Sequence, residues 1–268
     1  MTPAVSPAAF ALITSFEGCP PHPEWPGQTS GITLGRGSDI GADPAALEAW
    51  RSHLSPADFD LLAATRGRRG LAAKAVLPTV EHIVITRASA DAVFAGFDMP
   101  RAAKATVAAF PGADILPADC FGALVSLVFN RGGDLIGPRR FEMSDIHELV
   151  TDPNSWHVIP DELAAMSRLW PDDDGPTASN LCGRRYAEAA LFARGLRSKG
   201  LIEPRTLTIT DRGTAVVALQ KALGIPVCDG SFGPATLRYV IAHQTKNGLP
   251  INGLGDIATL RSLGLMNA

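Results

Sequence analysis

The sequence predicts an α+β chain that is mainly α, built as one large helical domain followed by a small one. Three observations predict it. Long stretches between residues 43 and 195 place apolar residues three and four apart, the spacing of a helix with one buried face. Strand-like pattern is confined to a short run at Ile32–Leu34, followed by Gly35, Gly37 and Gly41. Beyond residue 207 a different pattern begins and repeats itself. A length of 268 residues exceeds one average domain, and the apolar fraction of 46% suffices for a sizeable core.

Ser6-Pro7 reads as a capped helix start, because proline is tolerated in the first turn, and Gly18 ends that segment. Residues 19–31 are dense in proline and glycine and read as loop. Asp43-Pro44 and Ser55-Pro56 have the form of helix starts. Residues 86–98 carry Ala90, Val93, Phe94 and Phe97 at helical spacing. Residues 118–132 are apolar nearly all round and belong at the centre of a bundle. Asn130 and Arg131 lie at their polar end, and Gly132-Gly133 stops them. A last helix is expected near 181–195.

Residues 1–197 are read as the first domain, 198–207 as a polar linker containing Pro204, and 208–268 as the second domain. In the latter, Gln220, Gly224 and Pro226 recur as Gln244, Gly248 and Pro250, a shift of 24 residues. Asp229-Gly230 recurs as Asn252-Gly253, one residue closer. Each half reads as helix, tight turn, helix, with glycine supplying the positive φ of the turn. One half is too small to fold alone, so the two are expected to pack as one module.

The totals exclude several functions. A formal charge of −3 favours neither nucleic acid nor an anionic membrane. No apolar run reaches the roughly 18 residues of a membrane span, and the first residues lack the basic start of a signal peptide. Cys19, Cys120, Cys182 and Cys228 form no metal-binding pair with each other or with the six histidines, and are expected as free, mostly buried thiols. The absence of HExxH spacing argues against zinc. Residues 35–41 are no dinucleotide fingerprint, since the last gap is too long and no strand–helix–strand alternation follows. Cys19 near His22 lacks the partner pattern of a thiol nucleophile. No metal, no cofactor and a monomer are expected.

The chemistry is concentrated early in the chain. Glu17 sits near the end of the first apolar helix, and Thr33 follows sixteen residues on, in a glycine-rich turn that closes with Asp39. Glycoside hydrolysis needs an acid to protonate the leaving oxygen and a carboxylate or a held water on the other face of the sugar. Apolar surroundings keep such an acid protonated near neutral pH, and Ile13, Phe16 and Trp25 are candidate flanks for Glu17, with Trp25 also a candidate substrate contact. Glycines in the turn would let backbone approach a sugar ring. Asp39 is equally of a type that binds backbone amides in turns.

This arrangement resembles the phage-type lysozymes, the muramidase endolysins. A glutamate-ended helix is followed by Gly31-Ile32-Thr33-Leu34-Gly35-Arg36-Gly37, and an aspartate six residues after the threonine is similar to the pesticin-like branch. Residues 122–132 resemble the buried central helix of these enzymes, and 183–195, with Arg184 and Arg185, their closing helix. The resemblance covers roughly residues 10–195. It implies a lysozyme-like fold and hydrolysis of the β-1,4 bond between N-acetylmuramic acid and N-acetylglucosamine. Glu17 would be the general acid, Thr33 the holder of water, and Asp39 the second carboxylate, as base or electrostatic stabiliser. The phage enzymes place that carboxylate six residues before the threonine, where this chain has Gly27; Glu24 is the nearest acid on that side. Asn130 and Arg131 either line the cleft or, for Arg131, complement the helix dipole. Arg184 and Arg185 are expected to pair with acids such as Glu188.

The second domain resembles the peptidoglycan-binding domain of wall hydrolases. Arg212-Gly213, Val216, Leu219-Gln220 and Leu223-Gly224 are followed by Asp229-Gly230, Phe232-Gly233-Pro234 and Thr236. The resemblance implies three helices and a groove that binds bacterial peptidoglycan, with Phe232 and Asp229 as candidate contacts and Leu254 in place of an aromatic in the second half. A phage endolysin is the expected origin, reaching periplasm and wall from the host cytoplasm through a separate export or holin system. A lytic transglycosylase on the same bond, or a non-catalytic wall-binding or phage structural protein, remains open.

Overall fold

A computed structural model describes residues 2–170, 176–202, 206–209 and 211–266 of the chain, without the side chains of 176–179. Among the described residues the fold is mainly helical with one small sheet, the α+β class the sequence predicts. The elements run α1 (Pro7–Phe16), β1 (Thr33–Leu34), β2 (Ser38–Asp39), α2 (Pro44–Ala49), α3 (Pro56–Ala63), α4 (Leu71–Val76) and α5 (Arg87–Val93). They continue with α6 (Met99–Ala109), α7 (Ala118–Arg131), α8 (Phe141–Leu149), α9 (Ile159–Ala165) and α10 (Pro176–Ser198). The last three are α11 (Thr214–Ala222), α12 (Pro234–Lys246) and α13 (Ile257–Ser262). Two compact units result, Ile13–Ala102 and Met1–Leu12 with Ala103–Ala268.

In the unit Ile13–Ala102, helix starts follow local capping chemistry. Asp43 accepts from the Ala45 amide at 2.9 Å and Ser55 from the Asp58 amide at 3.1 Å, each followed by proline in the first turn. Thr86 does the same for α5 through the Ser89 amide. The helical run expected over 86–98 is longer and less regular than its spacing suggested. It widens into a π-helical segment at Phe94–Asp98 and continues as α6. Pro100 lies just inside α6 and has no N–H to return to the preceding turn; a widened turn there removes the need for that bond. The core of this unit gathers Ile32, Leu34, Ile40, Leu47, Trp50, Phe59, Leu62 and Val93, all buried.

In the other unit, α7 is buried from Cys120 through Val128, as its all-round apolar sequence requires. α10 packs along α7 and α9. The α7 contact is close because residue 195 is glycine: a β-carbon there would come within 2.6 Å of Cys120 Sγ and 2.9 Å of its amide nitrogen. Ser126 on α7 donates to Glu188 at 2.6 Å, and Arg184 and Arg185 reach the same carboxylate at 3.3 and 2.8 Å. All four side chains are buried, so this charged knot joins the two helices away from water. Breaking such a knot by removing one member costs about 3–5 kcal/mol. The four cysteines are free, with Cys120 and Cys182 buried and the other two half-buried.

The repeat of the C-terminal module has a structural basis in two buried glutamines. Gln220 on α11 donates to Asp229, to the Ser231 carbonyl and to Thr236, and accepts from the Gly230 amide. Gln244 on α12 makes the corresponding set with Asn252, the Leu254 carbonyl, Thr259 and the Gly253 amide. A buried amide must spend its donors and acceptors locally, and the two halves solve that in the same way.

Candidate functional site

Glu17 follows the last residue of α1 and is half-buried, its amide donating to the Ile13 carbonyl at 3.2 Å. The end of α1 is held by a residue the sequence reading passed over. Arg36, in the turn between the strands, is 4% exposed. Its Nη1 donates to the carbonyls of Thr14 and Glu17 at 3.0 and 3.2 Å, and its Nε pairs with Asp91 at 2.5 Å. A helix end leaves carbonyls unmatched, and a guanidinium is fitted to cap them while holding an acid on its other side. The signal in the sequence was an arginine between two glycines: Gly35 takes positive φ (55°), which lets the turn reverse.

Thr33 lies at the middle of the sheet surface. It pairs with Glu24 on one side, through reciprocal backbone bonds of 2.8 and 3.0 Å, and with Asp39 on the other. Residues directly opposite in antiparallel pairs share a face, with α-carbons about 4.5–5.5 Å apart. Both acids weighed as the second carboxylate therefore flank Thr33 on one face. Thr33 is buried overall, and its hydroxyl has no hydrogen-bond partner among the described residues.

The two acids differ in what already occupies them. Asp39 accepts from three backbone amides, Gly31 at 3.0 Å on Oδ2, and Gly41 at 3.1 Å and Ala42 at 2.9 Å on Oδ1. The glycines serve this clamp: a β-carbon on Gly31 would meet Asp39 Oδ1 at 2.4 Å and the Gly41 α-carbon at 2.6 Å. The close approach they permit is of one chain segment to another. Glu24 is exposed, and its side chain has no hydrogen bond or ion pair among the described residues.

Ile13 is fully buried, and Phe16 and Trp25 are half-buried. Trp25 donates from its indole to the Ser30 carbonyl at 3.1 Å and lies under Lys74. A further acid, unmarked in the sequence, is Asp98. Burial pushes its pKa up to about 6, against the opposing effect of a hydrogen bond from Ser38 at 3.3 Å and the Arg101 charge. Its signal is only visible in three dimensions, where the π-helical segment brings it to β2.

Asn130 and Arg131 belong to the other unit. Asn130 is exposed. Arg131 stacks on Trp170 at 5.3 Å and donates to the Arg139 carbonyl, while Arg140 takes the Arg131 carbonyl at 2.7 Å. Burial, then the neighbouring Arg140 and Arg185 charges, pushes the Arg131 pKa down to about 10. The cap on the end of α7 is thus supplied by Arg140, while the Arg131 guanidinium faces Trp170 and the Arg139 carbonyl. In the module, Phe232 is 1% exposed and fills the core, so it has no surface to offer a polymer. Asp229 is exposed and accepts from Gln220 and the Ser231 amide, both at 2.8 Å, which makes it first a turn former; the Gln220 bond holds its pKa below the usual range.

Among the described residues no group of three or more His, Cys, Asp or Glu could hold a metal ion, and no helix is long and apolar enough to cross a membrane. No protein-family model matches the chain, and no curated protein matches its sequence.

Proposed function

We propose that the protein is a peptidoglycan hydrolase of the muramidase type, cutting the β-1,4 bond between N-acetylmuramic acid and N-acetylglucosamine. The observation that carries this is the trio Glu24, Thr33 and Asp39 on one face of the sheet, in the unit where Arg36 ties the end of α1, with Glu17, to the turn between the strands. In this reading Glu17 donates the proton to the leaving oxygen. The free hydroxyl of Thr33 holds the water. Glu24, unencumbered, is the group that takes the proton of that water, a role for which Asp39 would have to surrender backbone bonds. Asp39 keeps the turn closed and leaves negative charge beside Thr33, where it would stabilise an oxocarbenium-like centre.

The C-terminal module acts as the wall anchor, raising the effective concentration of the acid on an insoluble polymer. A phage endolysin, delivered to the wall by a separate system, fits this assembly of parts.

The test is mass spectrometry of soluble products from purified peptidoglycan. Wild type should release reducing N-acetylmuramic ends, and Glu17→Gln should release none. Anhydro ends would replace the hydrolase by a lytic transglycosylase, which needs one acid only. Binding to the wall with no soluble product would leave a non-catalytic wall-binding protein.

A further inference from the structure

A cavity of about 610 Å³ lies between α9–α10 and α12, inside the unit that contains all three. Val158, Leu237, Ile241 and Ile251 give it apolar walls. On it lies Asp161, of the short helix α9. Asp161 as a whole is half-buried, but its Oδ2 is sealed from solvent and has no hydrogen-bond partner. The Asp161 side chain has no ion pair or hydrogen bond among the described residues. The turn facing it is built to leave room: a β-carbon on Gly253 would stand 2.9 Å from Asp161 Oδ1.

Buried polar atoms in folded proteins nearly always have a partner, and an exception calls for a cause. The other titratable groups on the cavity do not supply one. Arg168 is taken by Glu142 at 2.5 Å, Arg238 is exposed, and the Cys182 thiol donates to the Trp170 carbonyl at 2.8 Å. Tyr186 lines the wall, and Glu162 adds a second acid. Burial, then the Glu162 and Asp256 charges, raises the Asp161 pKa well above its ordinary value; burial pushes Glu162 up to about 7. An apolar sleeve with unmatched acids at its wall complements one kind of ligand, an aliphatic arm with a positive end.

We propose that this cavity binds an aliphatic side chain ending in a primary ammonium group, with Asp161 as its counter-ion. On the wall-hydrolase reading, on which this rests, the arm is the diamino acid of a peptidoglycan stem peptide. The cavity would then recognise the peptide while the acid of the other unit acts on the sugar.

Burial raises the Asp161 pKa, so pairing with an ammonium ion, which favours the charged carboxylate, shifts the carboxyl toward proton release. Isothermal titration of the full chain with N-acetylmuramyl tripeptide ending in L-lysine, in two buffers of different ionisation enthalpy at one pH, reads both binding and proton release. The free-amine peptide should bind at least tenfold more tightly than its Nε-acetylated form, with proton release. Asp161→Asn should abolish that preference. Should Asp161→Asn fail to fold, the two peptides on wild type decide alone. Equal binding of both peptides, or of neither, overturns the proposal. Equal competition by Nα-acetyl-lysine amide would overturn the stem peptide as the ligand. Sugar release, measured on the same preparation, separates the two ideas: release without tripeptide preference overturns the amine site alone, and preference without release overturns the hydrolase alone.

Discussion

Replacing Asp39 separates a base from a clamp. Its carboxylate accepts three amides at 2.9–3.1 Å. A hydrogen bond to a charged group contributes about 1.5–3 kcal/mol, but contributions sharing one carboxylate do not add, and the Ala42 amide is open to water. Asp39→Ala strands chiefly the Gly31 and Gly41 amides and should cost roughly 3 kcal/mol. Asp39→Asn retains one acceptor oxygen for Gly41 and Ala42 and turns an amide group toward Gly31, at roughly 1–2 kcal/mol. At about 2–4 °C per kcal/mol for a chain of this size, melting should fall by roughly 6–12 °C for alanine and 2–8 °C for asparagine. Calorimetry gives the melting points, and hydrolysis of solubilised glycan at 15 °C, normalised to folded protein, gives the activity. Asp39→Asn should keep its rate within about tenfold of wild type when folded. Glu24→Gln, at an exposed and unpartnered side chain, should leave melting within the range of ordinary surface changes and lower the rate by about 100-fold or more. The reasoning is refuted if Asp39→Asn melts with wild type and loses the rate, while Glu24→Gln loses nothing.

Asp98 has a folded pKa of about 6 against an ordinary 3.8, so the folded state binds the extra proton, and the stability present below about pH 4 is lost as pH rises through 6. The full change is worth roughly 3 kcal/mol, and about 1–2 after solvent screening; Asp98→Asn should gain that much on wild type between pH 4 and pH 8 in urea unfolding, and a flat difference would count against it. Arg36→Met removes the cap on α1 and strands Asp91, whose side chain is 37% exposed. It should cost about 2–3 kcal/mol in denaturant unfolding and lower kcat more than it raises KM, with Arg36→Lys partly restoring both. Gly195→Ala forces a methyl against Cys120 and should destabilise by about 1–3 kcal/mol despite the better helix propensity of alanine; a more stable variant would mean that α7 and α10 are further apart.

Local chemistry was the legible part of the fold. Asp43-Pro44 and Ser55-Pro56 start helices because their caps and prolines act within one turn of chain. The uniform apolarity of 118–132 announced burial before any neighbour was known. The paired Gln220 and Gln244 were visible as a repeat, but not as its cause, because their partners lie up to sixteen residues away and only a fold brings them in. The same limit hid the close approach at Gly195, which depends on Cys120 of another helix. It also hid the π-helical segment at Phe94–Asp98, since Pro100 permits a break or a detour and the sequence does not choose.

The candidate site shows why residue types can be read while roles cannot. Spacing placed Thr33 and Asp39 in one turn, and the strands do put them side by side. Spacing did not show that Asp39 would be spent on three amides, although an aspartate before Gly41 and after Gly31 is what such a clamp requires. Nor did it show that Glu24, nine residues before Thr33 in a proline-rich loop, would return to pair with it. A loop acid carries no periodicity, so only its hydrogen bonds reveal its neighbour. If a water is activated beside Thr33, the acid without a prior engagement is the one free to take its proton. That choice follows from which lone pairs are already occupied, a property of the folded backbone and of no single residue in the sequence.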